Sequence, residues 1–445
     1  MTVRFGTDGV RGPANEVLTA EVALAIGRAA VRVFPAAEVV VGRDTRRSGL
    51  MLASATAAGV TAEGADAVLL DVVPTPAVAA ASARRGIPGV MISASHNPFA
   101  DNGIKLFGPG GRKLSDAEQA RVEAEIAVLL GPGPHPGPTG GGVGSVRQDS
   151  GALDEYAQGV VAATEGRRLD GLTMVVDCAN GSNSVVGPQV LRSLGADVTV
   201  LSADPDGLNI NDNCGSTHPD QLAAAVVERG AQLGIAFDGD ADRVLAVDHT
   251  GAVVDGDHII ALCALDLRAR GQLARNTVVV TVMTNLGFRQ AMAREGIQVV
   301  DTAVGDRYVL EAITGGGFSL GGEQSGHIIF GDLATTGDGL LSAVVLSDLL
   351  LRSGRPLADL AGAAMTRLPQ VLVNVRVSSP MPDVADRLAA EIAEVSAELG
   401  DNGRVLLRPS GTEPVVRVMA EAATDEEAAR VAQQLAAAVE ALAAS

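Results

Sequence analysis

The chain has 445 residues and a net charge of −19, from 53 acidic and 34 basic residues. This charge argues against binding to nucleic acid or anionic membranes, whose phosphate groups would repel such a surface. Three widely spaced cysteines, no membrane-spanning apolar run and no visible signal peptide predict a reduced cytoplasmic protein. Among the 34 basic residues 32 are Arg, and only Lys105 and Lys113 are Lys.

Short apolar runs alternate with Ala-rich amphipathic stretches along most of the chain, which predicts an α/β fold. Strands are predicted at 38–42, 65–71, 89–93, 172–177, 197–201, 233–237, 277–283, 298–301, 318–321 and 327–330, and helices at 48–63, 115–130, 153–164, 184–194 and 219–229. A further helix is expected after Pro74–Pro76. The Pro/Gly-rich segment 131–144 has few core-forming side chains and reads as a surface loop.

The order and spacing of these elements predict four domains. Three related mixed α/β domains are expected at 1–152, 153–254 and 255–368. After Pro369 the predicted order is strand 371–377, helix 382–399, strands 404–407 and 415–421, and helix 424–443. This order describes a small C-terminal α+β domain at 369–445.

The strongest local signal is an acidic turn directly after the predicted strand 233–237. Asp238, Asp240 and Asp242 alternate with small residues, so their carboxylates can converge on one hard cation such as Mg²⁺. The alternative is a solvated Asp-rich turn. It is disfavoured because three carboxylates this close repel one another without a cation.

A second signal is Ser95, delivered by the end of strand 89–93 into a loop fixed by Pro98. A serine in this position can be a nucleophile or a phosphate acceptor, and a capped turn without chemistry is the alternative. Ser95 and His96 are not expected to pair, because adjacent side chains on a strand point apart. Lys105 is expected on a return strand pointing back toward Ser95, where desolvation and cationic crowding would let it titrate.

Two turns have the composition of ligand-binding loops. Residues 408–414 link two predicted strands and offer an Arg, two hydroxyls and backbone N–H groups suited to phosphate, with Arg417 on the following strand. Residues 321–327 contain Glu323 and Ser325, which suit sugar hydroxyls, and His327, which can transfer protons near neutral pH. Polar turns without ligands are the alternative at both places.

Arginines near the N-terminus complete the candidate set. Arg11 lies between glycines and can clamp a phosphate or carboxylate, and Arg43 and Arg46 are similar candidates. A nucleophilic serine, a cation site, a phosphate loop, a hydroxyl-binding turn and titratable groups together predict a phosphoryl-transfer enzyme that acts on a phosphorylated polyol or sugar.

The sequence resembles the α-D-phosphohexomutase superfamily along its whole length. The motifs that carry this resemblance are GTDGVRG at 6–12, GRDTR at 42–46, SASHNP at 93–98, DNGIK at 101–105, PDGLNIN at 205–211, DGDADR at 238–243, VGDRYV at 304–309, GEQSGH at 322–327 and RPSGTEP at 408–414. The GEQSGH and VGDRYV forms are similar to those of its glucosamine branch.

The resemblance implies four domains around a central cleft. It also implies a phosphoserine at Ser95 and one Mg²⁺ held by the Ser95 phosphate, Asp238, Asp240 and Asp242. Such enzymes interconvert glucosamine 6-phosphate and glucosamine 1-phosphate through a 1,6-bisphosphate, which supplies UDP-N-acetylglucosamine for cell-wall synthesis. The implied catalytic residues are Ser95, His96, Lys105, Arg11, Arg243 and His327. The implied ligand residues are Glu323 and Ser325 for the sugar, and Arg408, Ser410, Gly411, Thr412 and Arg417 for the phosphate.

Three alternatives remain at this point. A phosphomannomutase/phosphoglucomutase would share the chemistry and differ in its preferred hexose phosphate. A magnesium phosphohydrolase would release free phosphate without needing Ser95, and a sugar-phosphate sensor would bind without turnover. The expected partner is a small sugar phosphate, and a homodimer is left open.

Overall fold

The computed structural model describes residues 3–6, 8–409 and 414–444. Contacts divide the chain into two compact units, residues 1–283 with 297–364, and residues 284–296 with 365–445. The first unit contains three mixed sheets, and the second contains one antiparallel sheet. The predicted α/β class with a C-terminal α+β domain is confirmed.

The first sheet is built by the N-terminal part of the chain. Its strands are β1 (Val10–Pro13), β2 (Glu38–Arg43), β3 (Asp66–Val72), β4 (Gly89–Ile92), β5 (Asp101–Gly108), β6 (Arg112–Lys113) and β7 (Val146–Gln148). Its helices are α1 (Ala20–Val33), α2 (Gly49–Ala62), α3 (Thr75–Arg85) and α4 (Asp116–Leu129). The strand order is β1-β5-β4-β2-β3-β7 with β6 beside β5, and β5 runs against its neighbours.

The scarcity of aromatic residues is met by close packing of small side chains. Helices α1 and α2 pack together at two glycines. A Cβ on Gly27 would lie 2.2 Å from the Thr56 carbonyl oxygen, and one on Gly59 would lie 2.1 Å from that of Leu24. Ala, Val, Leu and Ile fill the remaining core, which is therefore dense without large rings.

The Pro/Gly-rich segment 131–144 is an exposed loop, as predicted. It is nevertheless fitted closely to α2, since a Cβ on Gly137 would lie 2.1 Å from the Ala62 carbonyl oxygen. The loop then returns as β7, which pairs in parallel with β3 at the sheet edge.

The second and third sheets follow the same plan. The second has strands β8 (Thr173–Asp177), β9 (Asp197–Leu201), β10 (Leu233–Phe237), β11 (Val244–Asp248) and β12 (Val253–Val254), in the order β12-β11-β10-β8-β9. The third has β13 (Thr277–Thr281), β14 (Gln298–Thr302), β15 (Leu320–Gly322) and β16 (Ile328–Phe330), in the order β14-β13-β15-β16. Helices in these regions are α5 (Ala152–Ala162), α6 (Val186–Ser193), α7 (Asp220–Arg229), α8 (Gly256–Ala269), α9 (Leu286–Arg294), α10 (Asp306–Gly316), α11 (Gly339–Ser353) and α12 (Leu357–Ala364).

The second unit is a three-stranded sheet covered by helices. Its strands are β17 (Gln370–Arg376), β18 (Arg404–Pro409) and β19 (Val415–Glu421), in the order β17-β19-β18, and its helices are α13 (Val384–Arg387), α14 (Ala389–Leu399) and α15 (Asp425–Ala444). Helix α9 belongs to the same unit. The fully buried Glu421 carboxylate accepts a hydrogen bond from the Leu286 N–H (2.9 Å), which ties the start of α9 to β19.

Several elements differ from the sequence predictions. The helix expected after Pro76 begins at Thr75, because Pro is favourable in the first turn of a helix. The helix expected over 382–399 is divided into α13 and α14. Within the described residues, none of the helices has the length and apolar character needed to cross a membrane.

Candidate active site

Three loops of the first unit lie at the carboxyl ends of strands, where α/β sheets place ligands. The serine loop (residues 93–98) follows β4, the acidic loop (238–243) follows β10, and the sugar loop (322–327) begins at the last residue of β15. Val244 N–H, directly after the acidic loop, donates to the Gly326 carbonyl of the sugar loop (3.0 Å). A side-chain hydrogen bond links the serine loop to the acidic loop, from Ser95 Oγ to Asp238 Oδ2 (2.6 Å). The three sheets therefore hold these loops as one group.

Ser95 is buried in a conformation that few serines adopt. Its φ of 54° is in the left-handed region, and its side chain is inaccessible to solvent. The Oγ donates a hydrogen bond to Asp238 Oδ2 (2.6 Å), so the serine meets the acidic loop directly. It also lies 3.3 Å from His96 Nδ1. The expectation that Ser95 and His96 point apart is wrong, because the left-handed turn removes the strand alternation on which it rested.

Arg46 supports the serine loop and does not serve as an anion clamp. Its guanidinium donates to four backbone carbonyls, those of Ser95 (3.0 Å), Asn97 (2.7 Å), Pro98 and Asp101 (3.0 Å). Its Nε donates to Asp44 Oδ2 (2.9 Å), and both side chains are completely buried. The predicted phosphate role of Arg46 is therefore wrong, since these partners occupy the whole donor fork.

Asn211 and Gly239 complete the support of the serine loop from the second sheet. The Asn211 amide donates to the carbonyls of Ser95 (2.9 Å) and Asn97 (3.1 Å). A Cβ on Gly239 would lie 2.7 Å from the Ser95 carbonyl oxygen, so only glycine lets the two loops approach this closely. The remaining predicted clamp, Arg43, pairs with Asp71 on the neighbouring strand (2.5 Å).

The acidic loop forms a buried cluster of three carboxylates. One oxygen from each of Asp238, Asp240 and Asp242 lies within 4.8 Å of the other two. Burial, with repulsion from its two neighbours, raises the pKa of Asp238 well above its ordinary value. Asp240 Oδ1 and Asp242 Oδ1 are buried and accept no hydrogen bond from the described residues. Hard carboxylate oxygens that are buried, crowded and unpartnered fit a divalent cation such as Mg²⁺.

Lys105 lies on β5 and its Nζ contacts three carboxylates. These are Asp240 Oδ2 (2.8 Å), Asp242 Oδ2 (3.1 Å) and Asp8 Oδ2 (3.0 Å). Burial alone would lower the pKa of Lys105, but these carboxylates raise it well above its ordinary value. Lys105 is therefore held as an ammonium. The expected cationic crowding is outweighed, because the nearest charges are negative.

Two arginines lie near His96, the residue next to Ser95. Arg11 pairs with Asp8, and Arg243 Nε lies 3.9 Å from Asp242 Oδ1. Burial and the charges of Arg243 and Arg11 lower the pKa of His96 to about 4. The imidazole beside Ser95 is consequently neutral at physiological pH, and it can accept or relay a proton without adding charge.

The sugar loop presents its side chains at different depths. Glu323 is half-buried, its Oε1 accepts from Gly305 N–H (3.2 Å), and burial raises its pKa. Ser325 is exposed. His327 is buried: its Nε2 accepts from Gly337 N–H (3.0 Å) and lies 3.2 Å from Asp306 Oδ2, while its Nδ1 lies 3.8 Å from Asp242 Oδ1. Burial would lower its pKa, but Asp306 and Asp242 raise it.

The predicted phosphate loop is part of the second unit. Arg408 on β18 is directly opposite Arg417 on β19. Opposite residues of an antiparallel pair place their side chains on the same face of the sheet, so both guanidinium groups can donate to one anion there. Ser410, Gly411 and Thr412, which the sequence also assigns to this loop, lie outside the described residues.

Sequence reasoning missed several groups that the structure brings into the site. Asp8 contacts Lys105 and Arg11, and Lys113 and Asp306 extend the same network. Thr75 Oγ1 donates to Asp240 Oδ2 (2.5 Å). Asp8 and Asp306 stand inside the quoted motifs GTDGVRG and VGDRYV, so their positions were visible, whereas their partners lie far away in sequence.

Comparisons with known proteins cover nearly the whole chain. Models of the four phosphoglucomutase/phosphomannomutase domains match residues 2–129 (domain I), 154–251 (domain II), 255–368 (domain III) and 372–438 (C-terminal domain). The chain is 56% identical to the phosphoglucosamine mutase of Frankia alni, with 99% of each chain covered. It is 52% identical to that of Mycolicibacterium paratuberculosis, covering 98% of this chain and 99% of the relative.

Solved structures share the fold. A phosphoglucomutase/phosphomannomutase family protein from Burkholderia thailandensis superposes with a TM-score of 0.81 at 26% identity, covering 99% of this chain and 98% of that one. Aspergillus fumigatus N-acetylphosphoglucosamine mutase gives a TM-score of 0.70 at 20% identity, covering 100% and 96%. The resemblance read from the motifs is confirmed: the chain belongs to the phosphoglucomutase/phosphomannomutase family and, within it, to the phosphoglucosamine mutases.

Proposed function

We propose that this enzyme interconverts glucosamine 6-phosphate and glucosamine 1-phosphate through a phosphorylated Ser95. The observation that carries the mechanism is the 2.6 Å hydrogen bond from Ser95 Oγ to Asp238 in a buried carboxylate cluster. Carboxylates facing a serine that carries phosphate require a cation between them. We therefore assign one Mg²⁺ to Asp238, Asp240, Asp242 and the Ser95 phosphate. When bound, it would neutralise charge on the transferring phosphoryl group.

In the direction from glucosamine 6-phosphate to glucosamine 1-phosphate, the sugar 1-hydroxyl attacks the phosphorus on Ser95. A new O–P bond forms at the sugar, the Oγ–P bond breaks, and a 1,6-bisphosphate results. This intermediate reorients in the site, and Ser95 Oγ attacks its 6-phosphate. A new Oγ–P bond forms, the sugar O6–P bond breaks, and glucosamine 1-phosphate is released. Leakage to water is limited by burial, since Ser95 is inaccessible in the structure.

Three groups can handle the protons of this transfer. Lys105 is held as an ammonium by its carboxylate partners and is assigned as the acid that protonates the departing Ser95 oxygen. His327 and the neutral His96 are candidates to accept the sugar hydroxyl proton. Arg11 and Arg243 add positive charge beside the reacting phosphate.

Substrate orientation is assigned to the two remaining loops. Glu323 and Ser325 would hold the sugar hydroxyls. The positions of these hydroxyls stay nearly equivalent when the intermediate reorients in the site. Arg408 and Arg417, with Ser410, Gly411 and Thr412, would hold the phosphate that is not reacting. A hexose 1,6-bisphosphate should accordingly also activate the unphosphorylated enzyme by phosphorylating Ser95.

The decisive experiment is intact-protein mass spectrometry with peptide mapping. A phosphate of about 80 Da is expected on Ser95. The Ser95→Ala variant should lack this phosphate and all mutase activity, whereas Ser150→Ala, at an exposed serine, should keep both. Full activity in Ser95→Ala, or release of free phosphate as the main product, would refute the mechanism in favour of a phosphohydrolase.

Substrate preference is tested separately by kcat/KM on glucosamine, glucose and mannose phosphates. The enzyme should prefer the glucosamine phosphates. A clear preference for glucose or mannose phosphate would instead assign it to phosphoglucomutase/phosphomannomutase activity. Treatment with EDTA should abolish turnover, and added Mg²⁺ should restore it.

A further inference from the structure

The two lysines of the chain belong to one ion network. Lys113, on β6, is nearly buried, with 7% of its side chain exposed. Its Nζ donates to Asp8 Oδ1 and to Asp306 Oδ2. These two carboxylates come from distant parts of the sequence, one ahead of β1 and the other at the start of α10.

Each of these carboxylates also contacts a group assigned to proton transfer. Asp8 Oδ2 accepts from Lys105 Nζ (3.0 Å). Asp306 Oδ2 lies 3.2 Å from His327 Nε2. Among the residues that the structure describes, the Lys113 ammonium is thus the cation that bridges the carboxylate beside Lys105 and the carboxylate beside His327. Its own direct partners are not ligands of the proposed Mg²⁺.

We propose that Lys113 is a positioning residue of the mutase, which holds Asp8 and Asp306 in place and through them Lys105 and His327. This inference rests on the proposed function. Without the ammonium, Asp8 would keep Arg11 and Lys105, and Asp306 would keep His327. The positive charge between the two largely buried carboxylates would be lost, so they would repel each other and move apart or toward solvent. A displacement of about 1 Å in the groups they hold is enough to lower turnover about a hundredfold.

The position also requires a lysine rather than an arginine. A compact ammonium can lie between two carboxylate oxygens, whereas the planar guanidinium is larger and directs its donors in a fixed fork. The composition agrees with this requirement, because 32 of the 34 basic residues are Arg and both remaining lysines occur in this network. Where Arg fills every other basic position, a retained Lys indicates a site that Arg does not fit.

The primary test is Lys113→Arg, with Arg112→Lys as the matched control. Arg112 is the exposed neighbour on the same strand, so the control makes the reverse exchange outside the network. Lys113→Arg should lower kcat about tenfold to a hundredfold and change KM less than about twofold. A cooperative thermal unfolding transition should show that the variant is folded. Arg112→Lys should match the wild type. A folded Lys113→Arg enzyme with wild-type kcat, or one changed in KM alone, would overturn the proposal.

A readout independent of turnover is the His327 ring signal in NMR spectra, assigned with His327→Gln. It should shift in Lys113→Arg and stay unchanged in Arg112→Lys, and an unshifted signal would overturn the positioning role. If the wild-type enzyme has no mutase activity, the proposed function is refuted. The NMR comparison would still test whether Lys113 positions His327.

If Lys113→Arg does not fold, the double variant Lys113→Met/Asp306→Asn removes one charge of each sign. It should fold but lose turnover, and wild-type turnover there would overturn the proposal.

Discussion

The serine loop and the phosphate hairpin (β18 and β19), both proposed to bind phosphate, are supported by different means. The serine loop is supported by side chains from two sheets, chiefly Arg46 and Asn211. The hairpin instead places two of its own residues together, since Arg408 lies opposite Arg417 on the adjacent strand. A reacting phosphate needs a fixed geometry, whereas a resting phosphate needs mainly charge. The difference indicates that rigidity is concentrated where the bond is broken.

The largest effect is expected from Lys105→Arg. The charge is preserved, but a guanidinium gives up a proton less readily than an ammonium, and its planar fork does not fit among three carboxylates. Loss of general acid catalysis predicts a fall in kcat of about a hundredfold to ten-thousandfold, measured in a coupled mutase assay. A near-normal kcat would remove Lys105 from the proton-transfer role.

Arg46→Lys should have the next largest effect, since it breaks the support of the serine loop without touching the reacting atoms. An ammonium has three donors and cannot reach all four carbonyls and Asp44, so buried acceptors lose partners. We expect a loss of about 2–4 kcal/mol in the free energy of unfolding together with a lower kcat. If the denaturation midpoint and kcat both stay at wild-type values, the serine loop does not depend on this scaffold.

On the hairpin side, Arg417→Ala should act mainly on binding. Removing one charge-assisted contact to the resting phosphate should raise KM about tenfold and alter kcat less. Arg376→Ala, at an exposed arginine of the same unit, is the control and should leave both constants unchanged. A selective loss of kcat in Arg417→Ala would contradict the distinction between the two regions.

The smallest effect on turnover is expected at Asp338, the N-cap of α11 behind the acidic loop. Burial raises its pKa to about 6, although the Leu341 N–H and the Tyr156 hydroxyl favour its charged form. The folded protein therefore binds this proton more tightly than the unfolded chain, so stability falls as pH rises from about 4 to about 6. The loss should total about 3 kcal/mol.

Asp338→Asn keeps an acceptor and removes the charge. Urea unfolding at several pH values should show the variant gaining stability relative to the wild type across this interval, by an amount that levels off above it. A difference that does not change with pH would mean that Asp338 is already ionised in the folded protein at the lower end of the range.

The same contrast between local and distant contacts explains what could be predicted from the sequence. The two strands of the phosphate hairpin and the acidic turn after β10 are local patterns, and the structure has all three. The role of Arg46 could not be predicted, because its carbonyl partners are about fifty residues away. The Ser95–His96 contact was also missed, since a left-handed serine is a consequence of tertiary support and has no local signal.

The two lysines lie between these extremes, because the sequence predicts the role of one and not of the other. The extreme scarcity of lysine was visible in the sequence, and Lys105 was assigned to the site from its position on a return strand. Lys113 was not, because its partners Asp8 and Asp306 are brought to it only by the fold. Only the contacts in the folded protein identify which atoms need the compact ammonium.

Helix α9 limits how the protein can be divided into separately folding fragments. It precedes the C-terminal region in sequence, yet its contacts are with that region, including the Leu286 N–H bonded to Glu421. A fragment truncated after Ala364 would retain α9 and delete residues that contact it, among them Thr366 and Glu421. We expect the apolar side chains of α9, Phe288 and Met292, which are inaccessible in the full chain, to become exposed. Such a fragment should aggregate, so an isolated three-domain protein would also need residues 284–296 replaced by a polar loop.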